Sequence, residues 1–230
     1  MKNDTLSSID VTKISPIIQD YLSLIYIMER DHEPVVGSRL AELLGVTPPT
    51  VTNTLKRMVR DGLVVMDKEG THLTKSGWEA AKVVMRRHML VEWMMVKTLP
   101  WSLLHNEAHR LEHAISTLTE TALMDQLSNP ETCPHGNPIP GGNDITTEWV
   151  SLINIPIGEH ITIRRIHELA EENTDLLAFL ETNHVMPGVQ TQVTDILPFN
   201  ETITITIEGK PIILGFSVAR SVFVEKTNES

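Results

Sequence analysis

The stretch HNEAHRLEH, residues 105–113, places three histidines and two glutamates within nine positions. His109, Glu112 and His113 stand at i, i+3 and i+4, so on a helix their side chains converge on one point. Imidazole and carboxylate groups in that arrangement suit Mn(II), Fe(II), Co(II) or Zn(II). Three ligands leave coordination positions open, so another element must supply the rest. The spacing therefore predicts a transition-metal site.

A second set of candidate ligands begins on the preceding predicted helix. His88 and Glu92 have i, i+4 spacing in RRHMLVEW, and His105 lies one turn before His109 and can join them. The sequence thus offers two candidate metal sites. The alternative for both is a solvated polar face whose histidines have no ligand role.

Residues 109–113 also allow an interpretation as an enzyme active site. Residues 109–113 match H-x-x-E-H, the signature of inverted zinc peptidases, in which Glu112 would be the general base for a zinc-bound water. The pattern is short, and the residues before it have a basic helix-turn-helix pattern that has no place in a peptidase. We therefore expect the protein not to be an enzyme and to take no small organic substrate.

The composition indicates a folded protein without a membrane segment. Hydrophobic residues make up 41% of the 230 residues, which is enough for buried cores. No apolar run approaches the roughly 18 to 20 residues that span a bilayer, and MKNDTLSSIDVTK lacks the apolar core of a secretory signal. The one cysteine cannot form an internal disulfide. These features favour a protein of the reducing cytoplasm.

The net charge of −11 argues against general binding to nucleic acid, but the charge is unevenly distributed. Residues 34–90 contain nine Lys or Arg and five acids, so this segment is +4 and the remainder of the chain is −15. A basic module carried on acidic ones can bind a polyanion locally.

The basic segment has the pattern of a helix-turn-helix. Residues 15–30 have apolar positions at helical spacing, and residues 34–46 predict a short helix with Ser38 as its cap and Gly45 at its end. The next predicted helix begins at Thr47 as N-cap and ends at Gly62.

The strand-like run after this helix, LVVMDKEGTHLTKSG, has a charged glycine turn and reads as the wing of a winged helix. Thr50, Thr52 and Asn53 are expected to face base edges, and the three basic residues that follow are expected to meet phosphates. The predicted DNA-binding residues are Ser38, Thr47, Pro49, Thr50, Thr52, Asn53, Lys56, Arg57 and Arg60.

The rest of the chain divides into helical and β-rich parts. Residues 76–128 predict helices with a break near Pro100, and the second of these helices is apolar on much of its surface. Such a helix needs a partner, and helix-turn-helix proteins dimerise to reach two half-sites. Residues 128–148 form a Pro- and Gly-rich boundary loop, after which alternating Ile, Val and Thr predict a small β-barrel.

Five motifs resemble those of the diphtheria toxin repressor family and occur in the same order. They are DYLSLIY, the TPPTV and RMVRDGLV cassette, RRHMLVE, HNEAHRLEH and GNPIPG. The resemblance implies a metal-dependent transcriptional repressor of metal uptake, mainly α with α+β parts. The implied domains are a winged helix-turn-helix at 1–75, a helical dimerisation and metal-binding domain at 76–148, and an SH3-like, FeoA-like domain at 149–230.

The resemblance also implies a primary metal site made of Asp20, His109, Glu112 and His113. Iron-responsive members of the family have methionine at the position of Asp20 and cysteine at that of His109. Manganese-responsive members have the aspartate but usually glutamate at the second position, so this chain departs from both patterns. The loss of both sulfur ligands makes the site harder and favours Mn(II). Fe(II) is next, and Zn(II) and Co(II) are expected to bind in vitro.

The implied ancillary site uses His88, Glu92 and His105 together with acids from the SH3-like domain. The tail positions that match those acids are Asn173 and Leu176, so Glu171, Glu172 and Asp175 remain as alternatives. Some manganese-type relatives use a cysteine and a histidine of the boundary loop, and Cys133 and His135 match these.

The expected function is a homodimeric repressor that binds palindromic double-stranded operator DNA when it is loaded with metal. A winged-helix regulator of another ligand class is the alternative, with histidines that are merely structural.

Overall fold

A computed structural model of the protein describes residues 10–142, 146 and 149–227. The first nine residues, part of the segment MKNDTLSSIDVTK, lie outside this range. The predicted domain boundary after residue 148 also lies outside the described residues.

The described residues form two compact units. The first contains the chain up to His88 together with Leu111–Glu120, and the second contains Met89–Arg110 and the chain from Thr121 onward. In the ranges that the structure describes, no helix has the length and apolar character that crossing a membrane requires.

The N-terminal part of the first unit has the predicted order of three helices and a hairpin. After a 3₁₀ turn at Val11–Lys13 come α1 (Pro16–Arg30), α2 (Gly37–Leu43), α3 (Pro48–Arg60), β1 (Val64–Met66) and β2 (Thr71–Leu73). In α3, Val51, Leu55 and Met58 are buried at i, i+4 and i+7, so the polar positions between them face solvent.

At the ends of α2 and α3, three of the residues predicted to begin or end a helix are confirmed in that role, and one is not. Gly45 and Gly62 have φ of +62° and +72°, the left-handed backbone of helix C-termini, and Thr47 is the N-cap residue of α3. Ser38 is not a cap, so that prediction is wrong. The helix begins earlier because Val36 already has the extended backbone of an N-cap residue, which leaves Ser38 inside the first turn.

The wing is an antiparallel hairpin of β1 and β2 that is attached to α1. Gly70 has a φ of +144°, and a Cβ there would lie 2.7 Å from the carbonyl oxygen of Val35. Glu29, in the last turn of α1, accepts a hydrogen bond from the Leu73 backbone N–H at 3.3 Å and contacts His72 Nδ1 at 3.0 Å.

The helical region after the wing contains α4 (Lys75–Met95), α5 (Leu104–Leu111) and α6 (Thr117–Gln126). The break near Pro100 is confirmed by a 3₁₀ turn at Trp101–Leu103.

The prediction of one continuous helix over residues 105–127 is wrong. A 3₁₀ turn at Glu112–Ala114 follows α5, and Ile115 has extended backbone with φ −74° and ψ 121°. The Ser116 hydroxyl then accepts a hydrogen bond from the Thr119 N–H at 3.1 Å and so caps the start of α6. A serine side chain that bonds to the backbone in this way ends one helix and begins another.

The second unit contains a six-stranded sheet in the described part of the chain. Its strands are β3 (Val150–Ser151), β4 (His160–Ile166), β5 (Gln190–Leu197), β6 (Thr202–Ile207), β7 (Lys210–Gly215) and β8 (Val222–Lys226), in the order β3-β8-β4-β5-β6-β7. Each neighbouring pair is antiparallel. In β6 the isoleucines are buried and alternate with more exposed threonines, as the sequence alternation predicts.

Three short helices complete this β-rich domain: α7 (Glu168–Glu171), α8 (Thr174–Thr182) and α9 (Phe216–Ser221). Asn173 caps α8 by accepting a hydrogen bond from the Leu176 N–H at 3.0 Å. The side chain of Asn173 is thus used to start the helix.

Candidate metal centres and DNA-binding surface

Asp20 of α1 and the pair Glu112 and His113 of the 3₁₀ turn form the first centre. One ligand atom from each lies within 4.8 Å of the others. His113 Nε2 is 3.1 Å from Asp20 Oδ1 and 3.6 Å from Glu112 Oε1. Asp20 is separated from this pair by about ninety residues of sequence and shares no spacing pattern with it, so only the fold could bring them together.

Gln19 determines which nitrogen of His113 faces the carboxylate of Asp20. The Gln19 amide donates hydrogen bonds to the carbonyl oxygens of Val11 and Ile14 at 3.0 and 2.7 Å. Its oxygen lies 3.0 Å from His113 Nδ1 and can only accept, so Nδ1 carries the proton. In the neutral ring, Nε2 then presents a lone pair to the carboxylate of Asp20. Two acceptors at 3.1 Å are an arrangement that a cation satisfies.

Two other predicted ligands, His88 and His109, lie on the helices α4 and α5. His88 of α4 is buried, and its Nδ1 is 2.5 Å from Glu112 Oε2. His88 therefore contacts a candidate ligand of the first centre, which sequence spacing alone did not indicate. His109 lies in the last turn of α5, is exposed, and precedes Glu112 by three residues.

The second centre consists of Glu92, His105, Cys133, His135 and Glu171. Glu171 Oε2 lies 2.9 Å from His105 Nδ1 and 3.7 Å from His135 Nδ1. Glu92 Oε1 lies 3.1 Å from His135 Nδ1 and 3.7 Å from His105 Nδ1. Glu92, Cys133 and His135 each offer a ligand atom within 4.8 Å of the others.

The second centre is buried, and its carboxylates strongly shift the pKa values of its histidines. Burial alone would lower the pKa of His105, but hydrogen bonds to Glu171, Glu172 and Glu92 outweigh it and raise the pKa well above its usual range. The pKa of His135 is raised in the same way, because the charges of Glu171 and Glu92 outweigh burial.

The thiol of Cys133 is held in its neutral form. Burial, followed by the charges of Glu92 and Glu171, raises the pKa of Cys133 well above its usual range. In the absence of a cation, the second centre therefore keeps protons on its nitrogen and sulfur atoms. A divalent cation would replace those protons.

The ring of His135 is oriented by Trp101. His135 Nε2 lies 3.1 Å from the carbonyl oxygen of Trp101, an acceptor, so Nε2 carries a proton and Nδ1 faces the carboxylates. The two rings are tilted against each other with their centroids 4.5 Å apart. Trp101 also donates its indole N–H to the carbonyl oxygen of Pro134 at 2.9 Å.

Among the acids that the sequence left as alternatives, Glu171 faces the buried ligands. Asn137 donates a hydrogen bond to Glu171 Oε1 at 2.6 Å and thereby orients the carboxylate. Glu172 reaches His105 Nε2 at 3.4 Å from an exposed position, and Asp175 is exposed. The sequence patterns predict neither Asn137 nor the Trp101 carbonyl, because hydrogen bonds from a loop to a distant helix or turn leave no periodic signal.

The predicted DNA-binding residues lie on one helix and its surroundings. Val51, Leu55 and Met58 hold α3 against the core, and every predicted contact residue is exposed. Arg57 and Arg60 lie 3.7 and 3.5 Å from the carboxylate of Asp61, an exposed pairing that phosphate oxygens can replace.

Comparison with protein families agrees with this architecture. Residues 13–71 match the model of the iron dependent repressor N-terminal DNA binding domain. Residues 74–141 match the iron dependent repressor metal binding and dimerisation domain, and residues 150–226 match the FeoA domain.

Individual relatives are similar over nearly their whole length. The iron-dependent repressor IdeR of Mycobacterium tuberculosis (strain ATCC 25618 / H37Rv) is 36% identical over 222 residues, covering 90% of this chain and 95% of that protein. A manganese-dependent transcriptional repressor in complex with manganese has a TM-score of 0.82 at 29% identity, covering 91% of this chain and 99% of the other. ScaR with bound Zn²⁺ has a TM-score of 0.78 at 28% identity and the same coverage. The chain therefore belongs to the family of IdeR and the diphtheria toxin repressor and is a metal-dependent transcriptional repressor.

Proposed function

We propose that Mn(II) is the principal activating ion of this repressor, with Fe(II) next and Zn(II) or Co(II) binding in vitro. The metal-loaded homodimer binds a palindromic operator in the cytoplasm and controls genes of metal-ion uptake. The observation that carries this proposal is the approach of the Asp20 carboxylate to His113 Nε2 at 3.1 Å.

The proposed activating site contains Asp20, His109, Glu112 and His113. Two carboxylates and two imidazoles provide hard and borderline donors without sulfur, which favours Mn(II) over softer ions. His109 is included because it precedes Glu112 and His113 by three and four residues. The cation would tie α1 to the turn after α5 and offset the repulsion between the two carboxylates.

The proposed second site contains Glu92, His105, Cys133, His135 and Glu171, and His88 is retained as a sixth candidate from its spacing to Glu92. The convergence of acids and protonated imidazoles in a buried volume supports this assignment. The thiol adds a soft donor, so Fe(II) and Zn(II) compete better here than at the first site.

Two alternatives lose support. In the peptidase interpretation both histidines of H-x-x-E-H lie on one α-helix, whereas here α5 ends before Glu112. The family consists of transcriptional repressors, which are not enzymes. A winged-helix regulator with merely structural histidines does not account for two clusters of converging ligand atoms.

Metal would act by selecting one arrangement of the DNA-binding domains. The operator-binding form of a dimer holds its recognition helices about 34 Å apart, one turn of B-DNA. An ion that ties α1 down only in this form shifts the population by its differential affinity for it.

The test is fluorescence anisotropy of a labelled palindromic duplex with metal-free protein, with Mn(II), and with chelator. We expect an increase in operator affinity of about 5- to 150-fold on addition of Mn(II), the usual range of allosteric coupling. Equal affinity in Mn(II) and in chelator would contradict the proposal.

The assignment of DNA contacts can be tested with the metal-loaded protein. Asn53→Ala is expected to cost about 1–3 kcal/mol on the operator and to relax preference at one position. Arg60→Ala is expected to weaken operator and unrelated duplex alike, with a reduced dependence on salt. Loss of sequence preference in Arg60→Ala, and not in Asn53→Ala, would contradict the assignment.

A further inference from the structure

Glu120, in the first turn of α6, forms ion pairs with residues that are not candidate metal ligands. Its two carboxylate oxygens meet two consecutive arginines of α4: Oε1 lies 2.6 Å from Arg86 Nε and Oε2 lies 2.9 Å from Arg87 Nε. The side chains of Arg87 and Glu120 are 4% and 9% exposed. Arg87 also donates a hydrogen bond to the Thr117 hydroxyl at 3.2 Å.

The opposite end of the same segment is also attached to α4. His88, the residue after Arg87, contacts Glu112 Oε2 at 2.5 Å. Three consecutive residues of one helix thus contact both ends of residues 112–120. Glu112 and His113 lie within this segment, at the point where the chain leaves α5 and forms a 3₁₀ turn.

A short turn between two helix ends has few backbone hydrogen bonds to fix its orientation. Without the contacts to α4, Glu112 and His113 would sample several orientations, and an ion would have to order them on binding. With those contacts, the turn is held before an ion arrives.

We propose that Glu120 is a positioning residue for the first centre: its ion pairs with Arg86 and Arg87 orient the turn that carries Glu112 and His113. Glu120 touches no ion, and it acts through the backbone of residues 112–120. This inference rests on the proposed role of the first centre in binding metal.

Glu120→Gln tests this role because it keeps the shape of the side chain and removes its charge. The matched control is Glu107→Gln, which alters an exposed i, i+3 pair with Arg110. Mn(II) binding to the full metal-free chain is measured by calorimetry. The first centre is identified as the binding that Asp20→Ala removes. The second is followed as the binding that remains in Asp20→Ala and in the Asp20→Ala/Glu120→Gln double variant.

We expect Glu120→Gln to weaken Mn(II) at the first centre by about 10- to 100-fold, the usual effect of losing a group that orients metal ligands. The second centre and the Glu107→Gln protein should keep their affinities. Arg86→Gln removes one of the two ion pairs from a partly exposed position and should give a smaller loss, which keeps the test available if Glu120→Gln does not fold.

Unchanged Mn(II) affinity at the first centre in Glu120→Gln or, if that variant does not fold, in Arg86→Gln would overturn the inference. So would an equal loss at both centres, which would mean a general loss of stability. If the unsubstituted protein showed no binding that Asp20→Ala removes, the proposed function would fail as well. Binding that Asp20→Ala removes but Glu120→Gln leaves unchanged would overturn this inference alone.

Discussion

The first and second centres use similar donor groups in different surroundings. In the first, the side chains of Asp20 and His113 are 26% and 19% exposed, so part of each side chain meets water, whereas Glu112 is buried. In the second, those of Glu92 and His135 are fully buried. Charges interact weakly where water screens them and strongly where it is excluded.

This difference suggests separate tasks for the two centres. A partly exposed centre exchanges its ion with the surrounding pool and can follow the concentration of free metal. A buried centre that must release several protons before it binds is expected to hold its ion longer. We therefore expect the first centre to sense metal and the second to stabilise the fold around its ion.

The largest expected effect is that of pH on the second centre. The pKa values of His105 and His135 are raised by the neighbouring carboxylates despite burial, and that of Cys133 is raised by burial. Binding must displace these protons, so Mn(II) affinity should rise with pH by up to about a thousandfold per unit if all three are released. Calorimetry in buffers of different ionisation enthalpy would count them, and a pH-independent affinity would contradict this picture.

The stability of the metal-free protein should change in the opposite direction. An imidazole whose pKa is raised by folding contributes stability fully below its unfolded pKa of about 6.5 and loses it as pH rises through the folded value. The raised pKa of Cys133 acts in the same sense at higher pH, because the unfolded thiol ionises first. Metal-free protein should therefore melt at lower temperature as pH rises above about 6.5, as thermal unfolding would show.

Loss of a ligand at the first centre should remove regulation and leave the fold intact. In Asp20→Ala or His113→Ala, the increase in operator affinity on adding Mn(II), about 5- to 150-fold in the usual range, should fall close to onefold. Anisotropy with and without chelator measures it. Asp195→Ala, an exposed aspartate of β5, is the control and should behave as the original protein. Full activation by Mn(II) in Asp20→Ala would remove the distinction between the centres.

A substitution at the second centre should lower metal affinity at that centre. Glu171→Gln is expected to lower Mn(II) affinity there by at least about 10- to 100-fold, since it alters a proposed ligand and a partner of two imidazoles. The fluorescence of Trp101, whose ring lies against His135, should report the loss. Asp175→Asn changes an exposed acid of the same region and should have no effect; an effect of equal size would mean that the ligand was wrongly chosen.

The smallest expected effect is at Gln19. Gln19→Leu removes the oxygen that lies 3.0 Å from His113 Nδ1, so the ring is less well oriented and the Mn(II) affinity of the first centre should fall about tenfold. The second centre should be unaffected. Gln126→Leu, at an exposed position of α6, is the control. If Mn(II) affinity in Gln19→Leu matched that of the control in calorimetry, Gln19 would have no part in the first centre.

Sequence patterns predicted candidate ligands that are neighbours in the chain and did not predict those that only the fold brings together. Glu112 and His113 were predicted from spacing, although the continuous helix on which that spacing was argued is interrupted. Asp20 was assigned only through family resemblance, because one acid beside an apolar helical face has no local signal.

Other residues lay beyond sequence patterns for a physical reason. Glu171 lies among several acids in HELAEENTD, and only the turn of α7 decides which of them points inward. Glu120 and Gln19 act through ion pairs and hydrogen bonds across 33 or more positions of the chain, which no periodicity encodes.

Gly136 gives the loop of Cys133 and His135 a dependence on the β-rich domain. It has a φ of +91°, and a Cβ at this position would lie 1.9 Å from the backbone oxygen of Arg164 in β4. The loop therefore lies as near to the strand as a residue without a side chain permits. In relatives that keep the FeoA domain, glycine should be conserved at this position. In relatives without the domain, the residue at this position should vary. Conservation of glycine at this position in an alignment would then indicate that the loop and the β-rich domain have evolved together.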